Sequence, residues 1–333
     1  MNLRPRIAYG AQVAILLGIT GSLFIIGNIL AIVITCSKYH INFFSPHASD
    51  EIYAVLTNPE HAAFSQGINI VVSFIAFFIP ALITAAIANK TPLQYIGFNT
   101  KANSKQLLLV IVITCIGLLL SGSLGALSEK IPLSPKLLKK AKDLEDKYDE
   151  AVSAMAILKT WKDYFIALLV IALAPAIFEE TLFRGGLQKT LTGWTKSPLA
   201  AIIISSLIFS AIHFSFFGFL SRFALGMLLG YIFYYSGNIW LNIVLHFLNN
   251  AAAVTQLFIV TKSGKPLDKA AMNDNLPGMN NSIIIIWIIT FIMLAAAIFI
   301  FKYFKKESDK VNPDATVILP LETNNPFTDE QIL

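Results

Sequence analysis

The chain has 333 residues, 56% of them hydrophobic and 14% charged, with a mean hydropathy of +0.67 and a formal net charge of +5. Soluble domains carry about 25% charged residues, so the composition excludes an ordinary soluble protein and indicates a chain whose first partner is the lipid bilayer. The placement of the basic residues matters more than their sum, and no nucleic-acid partner is expected.

A bilayer core takes about 20 apolar residues per helix. The apolar runs predict an all-α, polytopic membrane bundle of about eight transmembrane helices, at 10–36, 68–89, 106–126, 164–188, 198–217, 221–236, 238–260 and 282–304. The first run follows the short basic stretch Met1–Arg6, exceeds a signal-peptide core in length and lacks a small-residue cleavage site, so it reads as an uncleaved span. Cys36 and Cys115 fall inside apolar runs and read as small core hydrophobes. The loop 37–67 holds only Lys38 against Asp50, Glu51 and Glu60, whereas Arg4, Arg6, Lys90, Lys101, Lys105, Arg184, Lys189, Lys196, Lys302, Lys305 and Lys306 fall on the opposite side. This asymmetry places both termini in the cytoplasm of a multi-pass protein of the plasma (inner) membrane. The lysine-rich loop 127–163 argues the other way.

That loop carries structure of its own. Ser134-Pro135 is an N-cap with proline at the first helical position, and Leu137, Ala141, Leu144, Tyr148, Val152 and Met155 recur at helical spacing. An extramembrane amphipathic helix over about 134–158 is expected, lying on the membrane surface or covering a substrate entrance. The membrane-embedded domain spans 1–306, and the proline-punctuated residues 307–333 read as a flexible polar tail.

The chemistry concentrates in Phe178-Glu179-Glu180-Thr181-Leu182-Phe183-Arg184-Gly185. Ionised groups at membrane depth are costly and usually face a cavity. Residues four apart on a helix are neighbours, so Glu180 pairs with Arg184 as a structural ion pair. Glu179, about 100° round the helix, is left to point into the bundle as a general base, unless both carboxylates sit at a span end and simply face water. The turn Gly193–Pro198 separates it from His213. Each lies 17 residues from Lys196, roughly 25 Å in depth, so the two can meet across a helical hairpin. His246 and Asn250 share a helical face and supply hydrogen-bond donors suited to an oxyanion. Polar side chains also serve as interhelical ties, and a buried Glu–His pair also suits a proton-coupled transporter, although no internal repeat supports one.

Residues 164–255 resemble the CAAX prenyl endoprotease and bacteriocin-processing (CPBP, or Abi) family of intramembrane proteases. The pattern runs Glu179-Glu180 with Arg184-Gly185, then Phe209 with His213, then Gly226, Gly230, Tyr231 and Gly237, then His246 with Asn250. The resemblance implies an eight-helix core and a peptidase acting on a membrane-associated peptide or protein. It implies that Glu179 and His213 activate the attacking water while His246 and Asn250 form the oxyanion hole. Two histidines and a glutamate (Glu179, His213, His246) also match the donor set of catalytic zinc, so a glutamic and a metallo-endopeptidase both stay open. A non-cleaving peptide-binding or immunity member is the remaining alternative. No sequence feature selects the substrate or says whether it is prenylated.

Overall fold

The computed structural model describes residues 5–98, 101–155, 158–263 and 283–312. Among these no strand occurs, and eleven helical runs follow one another. They are α1 (Tyr9–Tyr39), α2 (Ala48–Thr57), α3 (Pro59–Ala88), α4 (Pro92–Tyr95), α5 (Ser104–Ser128) and α6 (Pro135–Met155). After them come α7 (Trp161–Thr195), α8 (Pro198–Ala211), α9 (Phe219–Ser236), α10 (Ile239–Lys262) and α11 (Ile283–Val311). The protein is an all-α, polytopic integral membrane bundle.

Six helices, α1, α3, α5, α7, α10 and α11, are long and apolar enough to cross a membrane. The expected eight are therefore six full-length helices plus two shorter ones. Apolarity alone carried the fifth predicted span to residue 217, but α8 ends at Ala211 after 14 residues, about 21 Å at 1.5 Å per residue. Phe214 then turns the chain with a left-handed φ of 52°. The sixth span, α9, has 18 residues and begins with Ser221 and Arg222 in its opening turns.

Other boundaries also move. The predicted fourth span, 164–188, lengthens to the 35 residues of α7. The turn after it shrinks to Lys196, left-handed at φ 58°, and Ser197, whose Oγ accepts from the Ala200 N–H at 3.3 Å ahead of Pro198. At the other end α11 continues to Val311, five residues into the segment expected as tail, and residues 313–333 lie outside the described part. Lys189, expected at a solvated span end, is buried: its Nζ donates to the Tyr95 carbonyl and lies 3.9 Å from that ring's centroid. Cys115 is exposed on the bundle surface and Cys36 half-buried, so neither is the core residue its apolar run suggested.

Two prolines shape the long helices. Proline lacks the N–H and clashes with the carbonyl four residues back. In α3 and α7, a widened π-helical turn precedes it: Phe74–Phe78 ahead of Pro80, and Leu168–Leu173 ahead of Pro175. A third π-helical stretch, Thr181–Gln188, has no proline and follows directly on Glu179 and Glu180. Such turns are rare and concentrate at functional sites.

α7 lies between two apolar groups. On one side Val13, Leu16, Ala81, Ala201 and Phe209 pack with its own Leu182, Phe183, Leu187 and Leu191. On the other, Ala176 joins Phe233, Ile239 and Ile243, which leads to the cluster of α5, α9, α10 and α11 around Leu229, Leu245 and Phe304. α8 and α9 pack closely because α9 offers glycine there, the small-residue packing favoured where lipid supplies no hydrophobic drive. A Cβ on Gly226 would stand 2.9 Å from the Ser206 Cβ, and one on Gly230 2.7 Å from the Ile202 Cγ2. Gly226→Val is therefore expected to cost about 1–3 kcal/mol through overpacking and to lower the thermal midpoint in detergent; an unchanged midpoint contradicts this close approach.

Candidate active site

Glu180 and Arg184 are both fully buried, with side-chain exposure of 0% each. The Arg184 Nη1 donates to Glu180 Oε1 at 3.0 Å, as the four-residue spacing predicts. Nη2 donates to the Gly226 carbonyl at 3.2 Å, and the guanidinium lies 4.8 Å from the centroid of the Phe209 ring. A buried charge is tolerated only when paired and hydrogen-bonded; these contacts, from three helices, engage both Nη atoms, while the buried Nε has no hydrogen-bond partner.

Glu180 does more than neutralise Arg184. Its Oε1 also accepts from His246 Nδ1 at 2.8 Å, and its Oε2 accepts from Asn242 Nδ2 at 3.3 Å. Asn242 donates in addition to the Leu229 carbonyl at 2.7 Å. The purely structural role expected for Glu180 is thus incomplete, because its carboxylate also orients an imidazole. A carboxylate accepts at Nδ1, so Nδ1 carries the proton and Nε2 is directed elsewhere. It points towards Glu179, whose Oε2 stands 4.0 Å away.

Glu179 differs from its neighbour. It keeps 13% side-chain exposure where Glu180 has none, and its buried Oε2 has no hydrogen-bond partner. His213 lies in the turn after α8, with Nδ1 held at 2.8 Å by the Phe209 carbonyl; a carbonyl only accepts, so Nε2 is again the unprotonated nitrogen of the neutral ring. The two imidazoles flank one aromatic: Phe209 meets His213 edge-on at 5.1 Å and His246 at 5.7 Å between ring centroids.

No ion pair within 4.0 Å joins Glu179 and His213 among the described residues. The hairpin reading had them meet across the interface; both histidines pack against the Phe209 ring. Asn250, one turn beyond His246 on α10, is partly buried, and its Oδ1 accepts from Asn249 Nδ2 at 3.3 Å. Among the described residues no group of three or more His, Cys, Asp or Glu side chains is placed to hold a metal ion.

Asn242 is the site residue that motif reading missed. Its signal was present: Asn242, His246 and Asn250 recur every four residues, a polar stripe on a helix otherwise rich in leucine and isoleucine.

Residues 161–252 match the family Type II CAAX prenyl endopeptidase Rce1-like. The segment carrying the site is Rce1-like. A protein of Bacillus subtilis (strain 168), titled Uncharacterized protein YpbD, is 32% identical over 94 residues, which are 27% of this chain and 45% of that protein. The similarity to that relative therefore spans less than half of its length. No solved structure matches the chain. The Rce1-like segment contains α7 through the middle of α10, and so every residue of the buried network.

Removing one member of a buried ion pair strands the other charge, typically at a cost of about 3–5 kcal/mol. Glu180→Gln is accordingly expected to lower the thermal midpoint in detergent markedly, with part of the loss recovered in Glu180→Gln/Arg184→Met. A Glu180→Gln protein that melts like wild type contradicts the network.

Proposed function

We propose that the chain is an intramembrane endopeptidase of the CAAX-protease type, hydrolysing a peptide bond in a membrane-associated peptide or protein. The observation that carries this reading is the division of labour between adjacent carboxylates. Glu180 is fully buried and accepts from Arg184, His246 and Asn242. Glu179, beside it, is partly exposed and has an unengaged oxygen towards His246. The Rce1-like segment independently supports peptidase chemistry.

In this reading Glu179 takes a proton from a water that attacks the scissile carbonyl, with the unprotonated Nε2 of His213 aligning that water. The new C–O bond places negative charge on the carbonyl oxygen. His246, held at Nδ1 by Glu180, and the Asn250 amide, a hydrogen-bond donor, are the groups that face it. Glu179 then returns its proton to the departing amine as the C–N bond breaks. Protein groups alone suffice for these steps, and we read the enzyme as glutamate-dependent. We further propose the plasma (inner) membrane as its location, with both termini cytoplasmic.

Glu179→Gln or Glu179→Ala is expected to abolish cleavage while the protein still folds. Comparative membrane proteomics of cells carrying wild type and Glu179→Ala should reveal uncut termini in the variant; identical termini in both refute the assignment. Treatment of the purified enzyme with 1,10-phenanthroline is expected to leave cleavage unchanged, and loss of activity that added zinc restores would overturn the glutamate-dependent mechanism.

A further inference from the structure

The turn bearing His213 sits at an unusual depth. α8 runs antiparallel to α7 from the turn at Lys196-Ser197, and its 14 residues bring Ala211 only about 20 Å along, level with Leu182 and close to Glu179. α7 continues far beyond that level to Trp161. Non-helical backbone at membrane depth is tolerated only where protein buries it or where it lines a wet cavity. Residues 212–218 therefore need partners, and they also hold Phe214 in a left-handed conformation, φ 52°, that strains a bulky residue.

Part of the support is local: the Gly218 N–H donates to Ser215 Oγ at 3.0 Å, and Ser210 Oγ to the Phe219 carbonyl at 2.6 Å. Further support comes from α6, some 70 residues away in sequence. Ser215 Oγ lies 2.9 and 3.0 Å from the two carboxylate oxygens of Glu145, and the Phe217 N–H donates to Glu145 Oε2 at 3.3 Å. One turn along α6, the Tyr148 ring lies 4.6 Å from the guanidinium of Arg222 at the start of α9. Further on, Glu150 accepts from the Tyr53 hydroxyl of α2 at 2.6 Å. The amphipathic helix is thus tied near its middle to the turn that carries His213 and, little more than one turn further on, to α2.

We propose that Glu145 is a positioning residue: its carboxylate anchors the 214–218 turn and, through it, holds His213 in register with Glu179 and His246. This rests on the hydrolytic reading given above. Misplacing a catalytic group by about 1 Å can cost on the order of a hundredfold in rate, so a released turn lowers kcat rather than raising KM.

The test uses the full chain in proteoliposomes with an internally quenched peptide ending in a farnesylated CAAX tail. Glu145→Ala is expected to lower kcat about tenfold or more with KM little changed. Glu145→Gln, which keeps an acceptor oxygen for Ser215 and Phe217 but no charge, is expected to restore most of the rate. Glu145→Ala/Ser215→Ala should be no slower than Glu145→Ala, since both act through one contact. Amide hydrogen exchange across 214–218 should rise in Glu145→Ala and not in Glu145→Gln. Unchanged exchange overturns the proposal, as does raised exchange with kcat intact, or a kcat that increases. A His213→Ala protein that still cuts the peptide overturns the hydrolytic reading itself, a result separable from failure of the anchor because the exchange data stand without any activity.

Discussion

A guanidinium inside a membrane bundle sets the terms for the rest of this structure. Arg184 cannot reach water, and in that setting an unpaired charge costs several kcal/mol at least. Glu180 neutralises it from one turn away, yet an ionised carboxylate has about four lone-pair directions to satisfy. Arg184 takes one of them, and His246 and Asn242 of α10 take others. The solution to a burial problem thereby fixes α7 against α10 and selects the tautomer of an imidazole. It also fixes α9, through the Gly226 carbonyl bound by Arg184. The side chain left outside this network is Glu179, and its availability follows from how completely Glu180 is engaged.

Helix irregularity then decides where the reactive groups face. The π-helical stretch starting at Thr181 changes the angular phase of α7 immediately after the two glutamates. Two helices that stop short of the bilayer thickness leave a non-helical turn at the same depth. That turn, between α8 and α9, carries His213. Phe209 separates and orients both histidines, with the Arg184 guanidinium also over its ring.

Much of this was legible in the residues, and for identifiable reasons. The Glu180–Arg184 pair follows from four-residue spacing alone, and the amphipathic helix α6 from Ser134-Pro135 with its recurring apolar positions. Hydropathy located every long span, because lipid exposure imposes a continuous apolar run. It failed at α8, since Phe214, Phe216 and Phe217 are as apolar in a turn as in a helix; only the left-handed φ at Phe214 distinguishes the two. Equal counting from the hairpin turn let Glu179 and His213 meet, yet no ion pair within 4.0 Å joins them among the described residues; a regular 3.6-residue period anticipates neither the π-helical stretch Thr181–Gln188 nor the end of α8 at Ala211. Lys189 was read as a solvated end charge because its acceptor, the Tyr95 carbonyl, lies 94 positions away in sequence. The Glu145–Ser215 contact, 70 positions apart, was invisible for the same reason. Asn242 was within reach of pattern reading, but asparagine in a membrane helix has several ordinary uses.

The central claim is that Glu180 holds His246 by Nδ1 and so aims Nε2 into the space beside Glu179. Nitrogen-15 NMR of histidine-labelled protein, with the His246 signals assigned by substitution of that residue, tests this directly. The account predicts a protonated Nδ1 with the shift of a carboxylate-bonded imidazole, displaced by Glu180→Gln while the His213 signals stay in place. A His246 ring protonated at Nε2 alone, and indifferent to Glu180→Gln, would contradict it.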